Sequence, residues 1–351
     1  GTLMSVRQRS LHIIFAFTLG FLLYPATKKS KKDKVSIFDF VFIGLTIIVF
    51  GYLFVFVEQI ANKGTDLTTI DRVFGAIAIL ITLEVTRRVV GPELPIVSIV
   101  FLLYAKFGPY LPGLLAHRGF TVERIISQMY LALEGIMGIP LGVSATFVFM
   151  FILFGAFLDK TGVGKFFIDL AFAATGHFKS GPAMTAVLAS GLMGSISGSS
   201  VANTVTTGAF TIPLMKKTGY KPYFAGAVEA TASTGGQIMP PVIGAAAFIM
   251  AEFTGISYLS IVAAAVIPAI LYYFAVGTMV HLEASRLGLK GLPREELPKL
   301  SKILKSEGYL LIPLIAIIVF LVMQYTPTLS AFAAIIISIV IAVIASLIKK
   351  D

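Results

Sequence analysis

Residues 195–251 read SISGSSVANTVTTGAFTIPLMKKTGYKPYFAGAVEATASTGGQIMPPVIGAAAFIMA. The stretch is apolar enough to lie in a membrane, yet it is full of residues that a simple span avoids. Small hydroxyl and amide residues cluster at Ser195, Ser197, Ser199, Ser200, Asn203 and Thr204. A short loop from Lys216 to Pro222 follows. The next apolar segment carries a carboxylate, Glu229, and ends in Gly235-Gly236-Gln237-Ile238-Met239-Pro240-Pro241. Gly pairs loosen a helix and Pro-Pro removes its backbone donors. In lipid, the freed carbonyls are tolerated only where protein buries them or they line a cavity. Two interrupted helices in succession therefore mark a binding site inside a membrane transporter.

Composition sets the wider frame. Of the 351 residues, 57% are hydrophobic and 13% charged, with mean hydropathy +0.91. No soluble domain of this size needs so much apolar surface, and the chain is expected to be an all-α polytopic membrane protein. With no cysteine, it has no disulfide framework, thiol nucleophile or Cys-ligated metal site. The net charge of +10 sits in short loops between spans. There it is explained by the orientation rule for membrane proteins and not by nucleic-acid binding. No cleavable signal peptide is visible, and the first residues read as the flank of a span.

Residues 1–113 read as a module of four spans, over Leu11–Pro25, Phe38–Val57, Val73–Val85 and Pro95–Tyr110. The run Lys28, Lys29, Lys31, Lys32 and Lys34 is the strongest cytoplasmic marker, and Arg87-Arg88 a second. Glu58, Asp66 and Asp71 are expected on an outer loop, and Glu84 is expected to pair with Arg87 or Arg88. Residues 114–137 change character. Thr121 is the expected N-cap of a helix whose Ile125, Ile126, Met129, Tyr130 and Leu133 share one face. This suits an amphipathic linker or interfacial helix. From 138 onward, Leu141–Leu158 is a span, Phe166–Thr175 a short helix, and Gly181–Gly194 leads to the polar cluster. Downstream, Ile256–Glu283 is one long helix, Arg286–Lys305 a basic loop, and Leu310–Met323 with Ala331–Ile348 an out-and-back hairpin.

Several chemistries fall away. Gly164-Lys165 lacks the spacing of a phosphate loop, and Phe166 stands where Ser or Thr is needed. His12, His117, His177 and His281 form no metal spacing, and no nucleophile elbow is present. The cluster Ser197-Gly198-Ser199-Ser200-Val201-Ala202-Asn203-Thr204 can be read as small-residue helix packing. The favoured reading is a re-entrant hairpin whose tip offers oxygen ligands to a hard cation such as Na⁺. The break at 235–241 has no base nearby and is expected at depth. Its carbonyls suit a cation, and a helix N-terminus there can face a substrate carboxylate. Glu229 has two readings: an acid inside a span, functional by default, or one near the membrane edge with Lys221 about two turns away.

The strings SGSSVANTVTTGAFTIPLMKKTGY (197–220), FAGAVEATASTGGQIMPPVIGAAAFIMAEFTG (224–255) and GIPLGVSATFVFMFILFGAFLDKTG (138–162) closely resemble the large membrane subunit of tripartite ATP-independent periplasmic (TRAP) transporters. The likeness extends to HIIFAFTLGFLLYP (12–25) and FGPYLPGLLAHRGF (107–120). It is nearest to the TAXI-type permeases, in which small and large subunits are fused. The resemblance implies an elevator-type fold of two inverted repeats, each with a re-entrant hairpin and a broken helix. Only one of each is found here, so a fragment carrying the first repeat is expected. Residues 1–113 would match the small subunit, 114–137 the linker and 138–351 the first half of the transport unit.

The implied activity is secondary transport, usually driven by Na⁺, of an organic acid delivered by an extracytoplasmic solute-binding protein across the cytoplasmic (inner) membrane. The candidate ion-binding residues are Ser197, Gly198, Ser199, Ser200, Asn203, Thr204, Gly235, Gly236, Ile238 and Pro240. The candidate solute contacts are Asn203, Thr207, Gln237 and Pro241. Glu229 is the candidate coupling acid if H⁺ replaces Na⁺. A membrane-embedded enzyme using Glu229 or a buried Ser, and a channel or structural membrane subunit, are the alternative classes.

Overall fold

The computed structural model describes residues 2–26, 35–63 and 67–349. The lysine run at 28–34 and Asp66 lie outside the described residues. Among those described, the structure is helical throughout, and the chain divides into two compact units, 1–145 and 146–351.

In the first unit, α1 (Thr2–Leu23), α2 (Ile37–Lys63), α3 (Thr69–Val89) and α4 (Glu93–Phe107) cover the four stretches expected as spans, and of these α2 and α4 are long and apolar enough to cross a membrane. α1 begins nine residues ahead of the expected start, and α2 runs on through Glu58. Thr68 and Asp71 form a reciprocal capping box that starts α3, satisfying two backbone donors that would otherwise be orphaned. Asp71 is thus a buried structural acid, also accepting from Tyr52 (2.9 Å), and not an outer-loop charge. The core joins Ile13, Val49, Phe50, Leu53 and Ala78 to Tyr130 and Met137.

Arg88 is likewise no free orientation charge. Its side chain is 1% exposed, pairs with Asp39 and Glu84 (2.5 and 2.7 Å), and stacks on Phe21 and Phe42. Glu84 takes both neighbours, since Arg87 binds it at 2.8 Å as well. Thr121 caps α5 (Val122–Ile126) through the Arg124 amide. A π-helical turn at Ser127–Leu131 then aims the Tyr130 hydroxyl at Val49 O, 2.6 Å away. The apolar face of this segment is therefore packed into the first unit's own core. The short α6 (Ile139–Val143) closes the unit.

The second unit opens with α7 (Phe149–Lys160), α8 (Val163–Thr175), α9 (Gly181–Ser197) and α10 (Ser200–Lys217). α11 (Pro222–Gly235) and α12 (Ala245–Thr254) follow, then α13 (Tyr258–Arg286), which runs through Pro268. The end of the expected basic loop is helical: α14 spans Leu300–Glu307. α15 (Ile312–Val322) and α16 (Pro327–Lys349) are the closing hairpin, turned at Gln324, whose φ is +65°.

Among the described residues, six helical segments are long and apolar enough to cross a membrane: Ile37–Asn62, Glu93–Tyr110, Ile139–Lys160, Tyr258–Arg286, Arg294–Val322 and Pro327–Leu347. The chain is an all-α polytopic membrane protein. α11 and α12 are different, at about 21 and 15 Å long by the 1.5 Å helical rise. Each falls short of the roughly 30 Å apolar core of a bilayer.

Candidate functional site

α9 and α10 form a helical hairpin. Its tip is only Ser197-Gly198-Ser199, because Gly198 takes a left-handed φ of +56° and Ser199 caps α10 by accepting from the Ala202 amide (3.3 Å). Ser200 to Thr204, expected at the tip, already lie in the first turns of α10. The Thr204 and Thr206 hydroxyls donate back to Ser200 O and Ala202 O (2.8 and 2.9 Å). α9 packs through Ala183, Ala186, Ala189, Ser190, Gly191 and Gly194, all buried, and such small side chains let helices approach closely in a membrane protein.

The break is where the repeated Gly and Pro demand it. α11 ends at Gly235, a 3₁₀ turn covers Gly236–Ile238, and Met239–Gly244 is irregular, with a cis bond between Pro240 and Pro241. The Gly235 backbone lies against the Tyr272 and Tyr273 rings. This opened backbone is held at both ends. Val242 N donates to Ser195 O (3.2 Å), Gly244 N to Gln237 O (2.8 Å), and the Tyr258 hydroxyl to Pro241 O (3.0 Å).

The hairpin tip is seated on the break. A β-carbon built on Gly198 would stand 3.2 Å from both Val242 O and Ile243 O, and one on Gly244 would stand 3.1 Å from Gly198 O. The Val242 and Ile243 carbonyl oxygens therefore lie against Gly198, and the Gly198 carbonyl oxygen against Gly244. Beside them lies a cavity of about 460 Å³. Ser197, Gly198, Ser199, Gln237 and Ile238 line it, with Phe151 and Phe248 as apolar wall. The Gln237 amide also reaches across to the Ser200 hydroxyl, at 3.1 Å. A pocket with an apolar wall and a few fixed polar groups is the usual form of a small-molecule site.

Other candidates lie elsewhere. Asn203 and Thr207 are fully buried and do not line this cavity. Asn203 Nδ2 donates to Ser190 O (2.8 Å), and its amide lies against Gly236. Glu229 is also fully buried. Its Oε1 accepts from Ser190 and Ser233 (each 3.0 Å) and from Thr207, and its Oε2 accepts from Thr211. Glu229 is buried among α9, α10 and α11, and Lys221 is exposed.

Sequence reasoning missed the carbonyls of Val242 and Ile243, which carry no side-chain signal. It also missed the hydroxyls around Glu229. A signal for the latter existed: Asn203, Thr207 and Thr211 recur every fourth residue, as do Glu229 and Ser233, and that spacing sets them on one face of each helix.

The chain is 34% identical over 147 residues to the C4-dicarboxylate TRAP transporter large permease protein DctM of Pseudomonas aeruginosa, covering 42% of this chain and 34% of that one. It is 28% identical over 252 residues to the protein of the same name from Vibrio cholerae, covering 68% and 50%. The chain thus spans half the length of these relatives or less. The family model of the tripartite ATP-independent periplasmic transporter, DctM component, matches residues 77–350. That match takes in the hairpin, the break and Glu229, and the chain belongs to the DctM component family of the tripartite ATP-independent periplasmic transporters.

Proposed function

We propose that this chain is a permease part of a Na⁺-coupled TRAP transporter that takes up an organic acid handed over by an extracytoplasmic solute-binding protein. The family is one of transporter components and not of enzymes. The observation that supports the reading is the seating of the hairpin tip on the helix break, with backbone carbonyls of each close to the other beside a cavity. Uncharged oxygen donors are what a hard monovalent cation takes in exchange for its water. Interrupted helices at depth are the recurrent form of such sites in secondary transporters.

In this proposal the Gly198, Val242 and Ile243 carbonyls and the Ser197 hydroxyl hold Na⁺. Gln237 and the end of the break meet the solute carboxylate, and the aromatic wall excludes water from it. Asn203 and Thr207 act by positioning, since they lie behind the cavity. Gly236 supplies close approach, and Gly235 and Pro240 the interruption itself. Elevator motion of the hairpin unit, the TAXI type with residues 1–113 as a fused small-subunit-like part, and residence in the cytoplasmic membrane belong to the same proposal.

The test is Na⁺-dependent uptake in proteoliposomes, using the full reading frame together with its binding protein. Ser197→Ala and Gly198→Leu are compared with wild type. Uptake that follows the Na⁺ gradient, with the Na⁺ requirement raised in the first variant and uptake lost in the second while both stay folded, supports the site. Uptake indifferent to Na⁺ in wild type overturns the coupling, and unimpaired Gly198→Leu overturns the location.

A further inference from the structure

A second cavity, of about 220 Å³, lies within the second unit and shares no residue with the one beside the hairpin and the break. It is bounded by the end of α7, by the 3₁₀ turn Gly308–Leu311 between α14 and α15, and by α16. Lys160, Thr161, Tyr309 and Ser338 supply its polar groups, and Leu158, Leu310 and Pro313 are part of its apolar wall. The segments that meet here, Ile139–Lys160, Arg294–Val322 and Pro327–Leu347, are three of those long and apolar enough to cross a membrane. The transport reading uses none of these polar groups.

Ser338 is the group left without an explanation by the fold. It is 1% exposed, and its hydroxyl has no hydrogen-bond partner among the described residues. Other hydroxyls in these helices turn back to the carbonyl four residues earlier, as Ser98 does to Leu94 O (2.9 Å) and Ser330 to Thr326 O (3.0 Å). Ser338 makes no such bond and lines the cavity instead. A buried hydroxyl left unpaired is costly, so one beside a cavity marks the place of a ligand atom. Lys160 fixes the sign of that ligand. It is exposed, closes α7, and makes no ion pair among the described residues. No carboxylate is among the residues that line the cavity, and the Thr161 hydroxyl already donates to Leu158 O (2.6 Å). An ammonium has three donors and no acceptor, so the group that completes it is an anion.

Position selects among anions. α14, with Lys302 and Lys305, runs directly into the 3₁₀ turn that bounds the cavity, and Ala345, near the end of α16, lines it as well. The cavity is therefore at the basic end of its three spans, the end that the orientation rule sets toward the cytoplasmic leaflet. Basic pockets between membrane helices on that side take the head groups of its anionic lipids. The polar groups also stand at two depths. Lys160 is the last residue of α7, whereas Ser338 is about three helical turns inside the end of α16. In a phospholipid the phosphate is outermost and the ester carbonyls lie deeper, whereas the oxygens of a free phosphate share one depth. We propose that this cavity binds one anionic phospholipid, with its phosphate on the Lys160 ammonium and an ester carbonyl accepting from the Ser338 hydroxyl. The bound lipid ties the end of α7 to the α15–α16 hairpin.

The experiment uses the full-length protein, purified in detergent and stripped of lipid. Phosphatidylglycerol is titrated in, with phosphatidylcholine as the neutral probe, and binding is read by native mass spectrometry and by the thermal midpoint. The expected result is a tightly held phosphatidylglycerol that raises the midpoint more than phosphatidylcholine does. Lys160→Gln, a change at an exposed position, is expected to weaken that binding about fivefold, the worth of one lysine beside an anionic lipid. Ser338→Ala is expected to weaken it by about the same factor. Its lipid-free midpoint is expected to stay level or rise, because the unpaired hydroxyl is gone. A serine that only holds the helices together would lower the lipid-free midpoint on substitution, and that result overturns the assignment. Equal binding of the two lipids, or an affinity unchanged in Lys160→Gln, overturns the headgroup site. A midpoint shift of the same size with inorganic phosphate alone overturns the lipid in favour of a free anion. If Ser338→Ala is not recovered folded, Lys160→Gln decides. The outcome does not depend on the coupling ion, because neither a gradient nor a solute enters the assay.

Discussion

Gly194 of α9 and Gly236 of the helix break meet backbone to backbone: a β-carbon on Gly194 would stand 2.3 Å from Gly236 Cα, and one on Gly236 would stand 2.7 Å from Gly194 Cα. No rotamer relieves such a clash, because a β-carbon cannot rotate away. Gly194→Ala is therefore expected to force the hairpin off the break, at about 1–3 kcal/mol, the range for overpacking a filled interior. The checks are the thermal midpoint of the detergent-solubilised protein and uptake, both expected to fall. Gly226→Ala is the control, since nothing lies within 4 Å of its added carbon.

Tyr258 stacks on Phe248 with ring centroids 4.3 Å apart and donates to Pro241 O. Tyr258→Phe keeps the ring and removes the bond that holds the break's proline carbonyl. A loss of about 0.5–1.5 kcal/mol is expected, the net worth of one hydrogen bond. Uptake is expected to fall more steeply than stability, because Pro241 adjoins Val242, whose carbonyl is one of the proposed Na⁺ ligands. Comparing the uptake rate with the melting temperature of the same variant separates the two effects.

In the first unit, Arg88 and Asp39 are both almost wholly buried and bonded at 2.5 Å. Arg88→Met leaves Asp39 as a buried acid without its cation, and a cost of about 3–5 kcal/mol is expected. Arg88→Met combined with Asp39→Leu removes both charges and is expected to recover most of the loss. A double-mutant cycle read by denaturation of the solubilised protein measures this, and strict additivity of the two losses would refute the pairing.

Tyr130→Phe is expected to cost about 0.5–1.5 kcal/mol through loss of the bond to Val49 O, and Tyr130→Ala about 3–5 kcal/mol through the cavity it leaves. The ring is fully buried against Phe50. Equal, small effects of both variants would mean that residues 114–137 are not held in the first unit's core.

The spans, the hairpin and the break were legible because each rests on a backbone rule. Apolar runs of span length, a Gly between serines and a Gly-Gly followed by Pro-Pro constrain the chain wherever they occur. What the side chains do after folding was less legible. Asp71 looked like a loop acid and is a helix cap, while Arg88, expected as a partner of Glu84, also holds Asp39 and is almost wholly buried. The first rests on Thr68, three residues before Asp71, and the second on Asp39, which is distant in sequence. Asn203 read as a cation ligand because an amide needs partners, yet Ser190 O supplies one from the neighbouring helix. The carbonyls of Val242 and Ile243 had no letter in the sequence to announce them, since any residue carries the same oxygen.

The seams between α9, α11 and α13 are built largely of alanine, with Ala183, Ala186, Ala225, Ala232 and Ala284 all fully buried. Alanine has no smaller neighbour but glycine and no room to grow, so these seams leave little scope for change. The cavity wall of Phe151, Phe248 and Ile152 is bulky and can be trimmed. If the cavity is the proposed solute site, a lineage altering its cargo would write the change into the aromatic wall and leave the alanine seam alone. A laboratory seeking a larger cargo has the same few positions at which to begin.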